Sequence, residues 1–197
     1  MSGFVDRGAV TAAYVGIGMA VTIGISFLLI IPIEPIVWYL TLPGALLIGY
    51  YANQRSDRRV GPWPRILANG LFAGAAIGIT LAALLLTVKA IFFFADTGYP
   101  DFNRVNELRQ PIPPRCDTGA DCVYKRYLAA DRGADLAAAG VADPRSFSAL
   151  YWGQQVPTAG MLLLVAMLGG LGGGALYGIF RPKRPAEGVA GTETRPA

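Results

Sequence analysis

The sequence predicts an all-α membrane protein of four transmembrane helices with a small, mostly helical, disulfide-bearing extracytoplasmic loop domain. Three observations predict it. First, 53% of the 197 residues are hydrophobic and only 15% are charged, where a soluble domain has about 25% charged residues. The deficit is gathered into four long, nearly uncharged segments, as a bilayer requires. Second, Lys and Arg cluster on alternate connections only. Third, both cysteines fall in the longest polar stretch.

The first span is expected from about Ala9 to Ile31, long enough as a helix to cross a hydrocarbon core of about 30 Å. A signal peptide is the weaker reading, because the run is long and no A-x-A cleavage site ends it. The second span, about 36–52, is short and holds Pro43, which removes a backbone hydrogen bond and favours a kink. Only Pro32-Ile33-Glu34-Pro35 joins the two, so they form a tight helical hairpin. The third span covers about 66–94 and the fourth about 156–180. Trp38, Tyr39, Tyr50, Tyr51, Trp63, Tyr99, Tyr151, Trp152 and Tyr177 fall near the expected interfaces, where an apolar ring with a polar tip is favoured.

Charge sets the orientation. Residues 53–65 carry Arg55, Arg58, Arg59 and Arg65 against Asp57, and Arg181, Lys183 and Arg184 follow the fourth span. Basic short loops stay cytoplasmic. Both termini and the basic loop are therefore placed in the cytoplasm, and loop 96–155 outside. That loop has seven basic and eight acidic residues and is neutral on the question. The expected location is the plasma (cytoplasmic) membrane, as a multi-pass protein. Abundant Ala, Gly and Arg and the lack of an N-x-Ser/Thr sequon favour a bacterial source.

Cys116 and Cys122 lie in the segment assigned outside, where disulfides persist. They are expected to close a short ring around Gly119, which gives the turn its freedom. The rest of the loop reads as a helical cap. Asp101 is placed to start a helix presenting Phe102, Val105 and Leu108. Pro111–Pro114 enforces an extended stretch. Asp121 is expected to cap a helix to about Ala130, which Asp135–Ala139 continues. Asp143-Pro144 is a start signal for a third helix carrying Phe147, Leu150 and Tyr151 towards the fourth span, with a break expected at Pro157. The tail 181–197 is expected to be disordered and cytoplasmic.

Small residues recur every fourth position. Gly70, Gly74 and Gly78 line one face of the third span. Ala166, Gly170, Gly174 and Gly178 line one face of the fourth, and Gly16, Ala20 and Gly24 one face of the first. Such faces let helices approach closely where lipid supplies no hydrophobic force between them. The plain reading is packing within one chain. Because the fourth span has glycines on several faces, a helix of another subunit is the sharper one. Glu34 and Lys89 sit at the outer boundary and are expected to pair there or, for Lys89, to reach the headgroups. Asn69 and Thr80 are expected to bond a neighbouring helix or their own backbone. The cluster Arg55, Arg58, Arg59 and Arg65 suits anionic lipid, although topology alone explains it.

Chemistry is less legible. There is no histidine, so the usual neutral-pH acid–base group and commonest metal ligand are missing. Asp117-Thr118-Gly119-Ala120-Asp121 is similar to the active-site string of retropepsin-like aspartic proteases. That family sets the string after an apolar strand and pairs two copies, whereas here Pro113-Pro114-Arg115-Cys116 precedes a single copy. The loop plan resembles that of tetraspanins and claudins in topology alone. The tetraspanin Cys-Cys-Gly motif is absent, and so are cysteines in the first outer loop. No catalytic residue, cofactor or metal is expected, and no nucleic-acid partner. The expected role is a non-catalytic accessory, assembly or scaffold subunit meeting other membrane subunits or its own copies. A small oligomeric transporter or channel is the alternative.

Overall fold

The computed structural model describes residues 5–30, 34–56, 61–96, 99–100 and 116–180, without the side chains of Leu29, Ile30 and Glu34. All regular elements among them are helices: α1 (Arg7–Gly24), extended by a π-helical segment Ile25–Ile30; α2 (Glu34–Gln54); α3 (Trp63–Ala95); α4 (Ala120–Ala129); α5 (Gly133–Ala138); and α6 (Pro144–Phe180). Four of them, α1, α2, α3 and α6, are long and apolar enough to cross a membrane. The expected helix after Asp101, the Pro111–Pro114 stretch, Arg58, Arg59 and the tail 181–197 lie outside the described residues.

The four long helices form an up-and-down bundle. α2 and α3 pack on each other, α1 lies against both from one side, and α6 lies against both from the other. Between them sits a core of Ala, Ile, Leu and Val with Ala12, Ala73, Ile77 and Leu81 fully buried. Tyr14, Tyr39, Leu47, Ile79 and Leu168 are exposed along the outer flanks.

Two helices run further than a bilayer needs. With 33 and 37 residues, α3 and α6 are about 50 and 55 Å long, against a hydrocarbon core of about 30 Å. Their far ends continue side by side in one antiparallel register. Gly74 meets Gly170 in the middle, and Phe93 stacks on Tyr151 at the end, centroids 4.6 Å apart. α4 and α5 fold over this extension.

Several expectations change here. Pro157 does not break the chain into two helices; α6 is continuous through it. The residue one turn back, Gly153, has no side chain to crowd the ring, and the Thr158 hydroxyl donates to the Gln154 carbonyl at 2.8 Å. Pro43 lies inside α2, as expected. Asp143 caps α6 as expected, its carboxylate accepting the N–H groups of Arg145 (2.9 Å) and Ser146 (2.8 Å). Asp121 is not the cap of α4. Gly119 holds that position with φ 97°, and Asp121 sits in the first turn paired with Lys125 at 2.6 Å. Tyr151 and Tyr177 are turned inward rather than outward: both are buried, and Tyr177 packs edge-on to Tyr50 at 5.4 Å.

Candidate functional site

Three places in the bundle concentrate unusual residues: a glycine seam, a polar knot at one end and an aromatic cap at the other.

The seam joins α6 to α2 and α3. A Cβ added to Gly173 would fall onto the Leu46 carbonyl oxygen, one on Gly49 or Gly70 onto the Gly170 carbonyl oxygen, and one on Gly74 lies 2.5 Å from the Ala166 carbonyl oxygen. A Cβ on Gly78 meets Leu163 and Ala166, and one on Gly178 meets the Trp63 ring at 2.6 Å. The stripes Gly70, Gly74, Gly78 and Ala166, Gly170, Gly174, Gly178 thus face each other within the chain. Gly169 and Gly173 of α6 serve α2, lying against Leu42, Ala45 and Leu46, whereas Gly153, Gly160 and Gly172 meet nothing within 4 Å. Two neighbours in the same chain account for the two packed glycine faces, and Gly172 lies on an open one. The third stripe also points inward: Gly16 faces Ile77 and Gly24 faces Leu84.

The knot ties the start of α1 to the end of α2 and the start of α3. Asn53 and Asn69 are buried, 2% and 1% exposed, so every polar atom they carry there requires a partner. The Asn53 amide donates to the carbonyls of Gly49 (3.1 Å) and Ile66 (3.0 Å). The Asn69 amide donates to the Asn53 carboxamide oxygen and the Asp6 carboxylate, each at 3.3 Å, and its own oxygen accepts the Asp6 N–H at 3.1 Å. The Ser56 hydroxyl donates to Asp6 at 2.6 Å, and Arg65 approaches the same carboxylate at 3.8 Å. Asp6 flanks α1 at its cap position yet makes no side-chain capping bond, because its carboxylate is turned to this network. Sequence reasoning reached Asn69 but not Asp6, Asn53 or Ser56. The available signal was that Asn53 and Asn69 stand near facing ends of the second and third spans.

The cap is built on aromatic stacking. Phe93, fully buried, contacts the rings of Phe94, Phe147, Tyr151 and Trp152. Phe147 in turn meets Tyr124 and Tyr127 of α4. Arg126, 2% exposed, donates to the Tyr99 carbonyl, and the Tyr99 and Tyr151 hydroxyls are 3.1 Å apart. Burial pushes the Tyr127 hydroxyl above its usual pKa, with Tyr99 adding to the shift and Arg132 opposing it. A shallow pocket of about 200 Å³ opens between α4, α5 and α6, with Phe147 and Tyr151 in its wall and Arg132, Asp135 and Gln154 at its polar positions. The cap also holds the disulfide: Cys116 and Cys122 are bonded, with Cα atoms 5.6 Å apart.

Among the remaining expected site residues, Lys89 lies partly buried on α3, Arg55 is exposed after α2, and Arg65 is partly buried. Glu34 opens α2, but the pairing of its side chain with Lys89 lies outside the described residues. No group of three or more Cys, Asp or Glu side chains able to hold a metal occurs among the described residues. No protein-family model, curated protein or solved structure matches the chain.

Proposed function

We propose that the chain is a multi-pass protein of the plasma membrane that acts without catalysis, as an accessory, assembly or scaffold subunit for other membrane proteins. The observation that carries this reading is the filled axis of the bundle. α2, α3 and α6 meet backbone to backbone along the glycine seam. The buried polar side chains between the long helices, Thr41, Asn53, Ser56 and Asn69, are all bonded within the chain. Such an interior favours a protein that works through its surfaces over one that conducts through its own centre.

The orientation with both termini and residues 53–65 in the cytoplasm, and the cap outside, rests on the positive charge of that loop. The Cys116–Cys122 bond supports it, since an oxidising compartment is where such a bond persists. The test is purification of the tagged protein in gentle detergent, with mass spectrometry of co-purifying chains and the mass of the assembly. A stoichiometric set of other membrane subunits is the expected result. A homo-oligomer without partners would overturn it and make transport between copies the leading reading.

A further inference from the structure

The two described arginines of the basic loop, Arg55 and Arg65, have different surroundings. Arg65 is drawn to the Asp6 carboxylate, which also holds Ser56 and Asn69. Arg55 stays exposed just after α2. Its Nε donates to the Tyr51 hydroxyl at 3.1 Å, and its guanidinium carbon lies 5.8 Å from the centre of the Tyr51 ring. That arrangement orients a guanidinium on an exposed residue. The start of α1 comes close to Arg55, because Gly8 packs directly on the Arg55–Ser56 peptide, which brings the backbone of Arg7 near that of Arg55. Arg7 is exposed and the first turn of α1 contains no acid. The neighbouring residue in sequence, Asp6, has its carboxylate engaged in the knot.

The surface running away from this pair is apolar. Val10 and Tyr14 follow Arg7 at helical spacing on one face of α1 and are 41% and 73% exposed. Gly18 continues the face with nothing within 4 Å of where a Cβ would stand. Two exposed arginines on adjoining backbone, at the head of an open apolar track, are complementary to a phosphate joined to acyl chains. Neither a free anion nor an acidic peptide would use the track.

We propose that Arg7 and Arg55 bind the phosphate of an anionic phospholipid in the leaflet at this end of the bundle, with an acyl chain lying along Val10, Tyr14 and Gly18. The inference rests on the membrane reading above. Guanidinium groups suit phosphate because their fixed N–H fork matches its oxygens.

The full-length protein would be purified in gentle detergent, stripped of lipid, and titrated with phosphatidylglycerol or phosphatidylcholine while bound lipid is counted by native mass spectrometry. Phosphatidylglycerol is expected to be retained preferentially, and increasingly less so as salt rises. Arg7→Gln and Arg55→Gln should each weaken retention about fivefold, and Arg145→Gln, in the cap, should leave it unchanged. Equal retention of the two lipids by the wild type would overturn the proposal without recourse to any variant. So would equal phosphatidylglycerol retention by the double variant. Competition by inorganic phosphate as effective as by the lipid would reduce the site to an anion site and remove the acyl track. Release of the protein from native membranes by alkaline carbonate would instead sink the membrane reading itself, a separate result.

Discussion

α1 and α6 flank the same central pair of helices from opposite sides, and the two seams are built differently. On the α6 side a Cβ added to Gly49, Gly70 or Gly173 would strike backbone carbonyl oxygens. On the α1 side it would mostly strike side-chain tips: Ile77 Cγ1 at 2.8 Å from Gly16, Leu84 Cδ1 at 2.7 Å from Gly24, and Met19 Cε at 2.8 Å from Gly44 of α2. Backbone cannot move without moving its helix, whereas a leucine or methionine tip turns into another rotamer. Glycine therefore means two things in this bundle. Against α6 it sets the distance between helices; against α1 it makes room for a side chain that has other places to go. The exception is Gly8, which lies on the Arg55–Ser56 peptide where the knot closes.

This contrast is open to direct attack. The largest effect is expected from Gly173→Ala and Gly49→Ala, each costing about 1–3 kcal/mol or more by overpacking. Thermal unfolding in detergent should show both variants melting well below the wild type. If they match it, the seam is not as tight as described. Asn69→Ala comes next. It removes the bonds to Asp6 and Asn53 and strands buried polar groups, at about 1–3 kcal/mol. Loss of protection at the backbone amide of Asp6 would locate the damage in the knot. Gly24→Ala and Gly44→Ala should cost less than about 1 kcal/mol, within the range of tolerated core adjustments. Gly172→Ala, at a site with open space, should leave the melting point unchanged or slightly raised, since alanine is the better helix former. Comparable losses at Gly24 and Gly173 would erase the distinction between the seams.

The smallest effect concerns the start of α6. Hydrogen bonds from the Ser146 N–H and hydroxyl, with help from Arg145, hold the Asp143 carboxyl below its ordinary value of 3.8. A carboxyl with a lowered folded pKa stabilises the fold above its unfolded value, and the contribution disappears as pH falls through the folded one. Hydrogen exchange at Arg145 and Ser146 should accordingly accelerate below pH 3.8 relative to its intrinsic rate, with the rest of α6 unaffected. Asp143→Asn should keep the cap and lose the pH dependence.

The four long helices were legible because each is a sustained apolar run, and the start of α6 was legible because Asp143-Pro144 is a local signal. What escaped depends on partners distant in sequence. Spacing places Gly170 and Gly173 on different faces, but it does not say that one face belongs to α3 and the other to α2. Tyr177 has the flanks of an interfacial residue, and only the packing of α2 beside α6 puts it under Tyr50. Asp6 and Asn69 are 63 residues apart, and neither has a local pattern that names the other. Pro157 misled because a proline weakens a helix locally, whereas the shared register of α3 and α6 on both sides of it holds this one continuous. Of the proposed lipid site, the arginines of loop 53–65 were visible as a cluster. That Arg65 turns to Asp6 and that the start of α1 packs on the Arg55–Ser56 peptide required the fold.

The order in which the helices are made gives the seam one more consequence. Gly49, Gly70 and Gly74 are synthesised long before the helix they receive, and the whole cap segment with its two cysteines comes between. Until residues 144–180 emerge, α2 and α3 carry bare glycine faces that α6 covers in the folded chain. Closing the seam therefore waits for α6. An interrupted chain differs from a finished one by an uncovered glycine face as well as by its length.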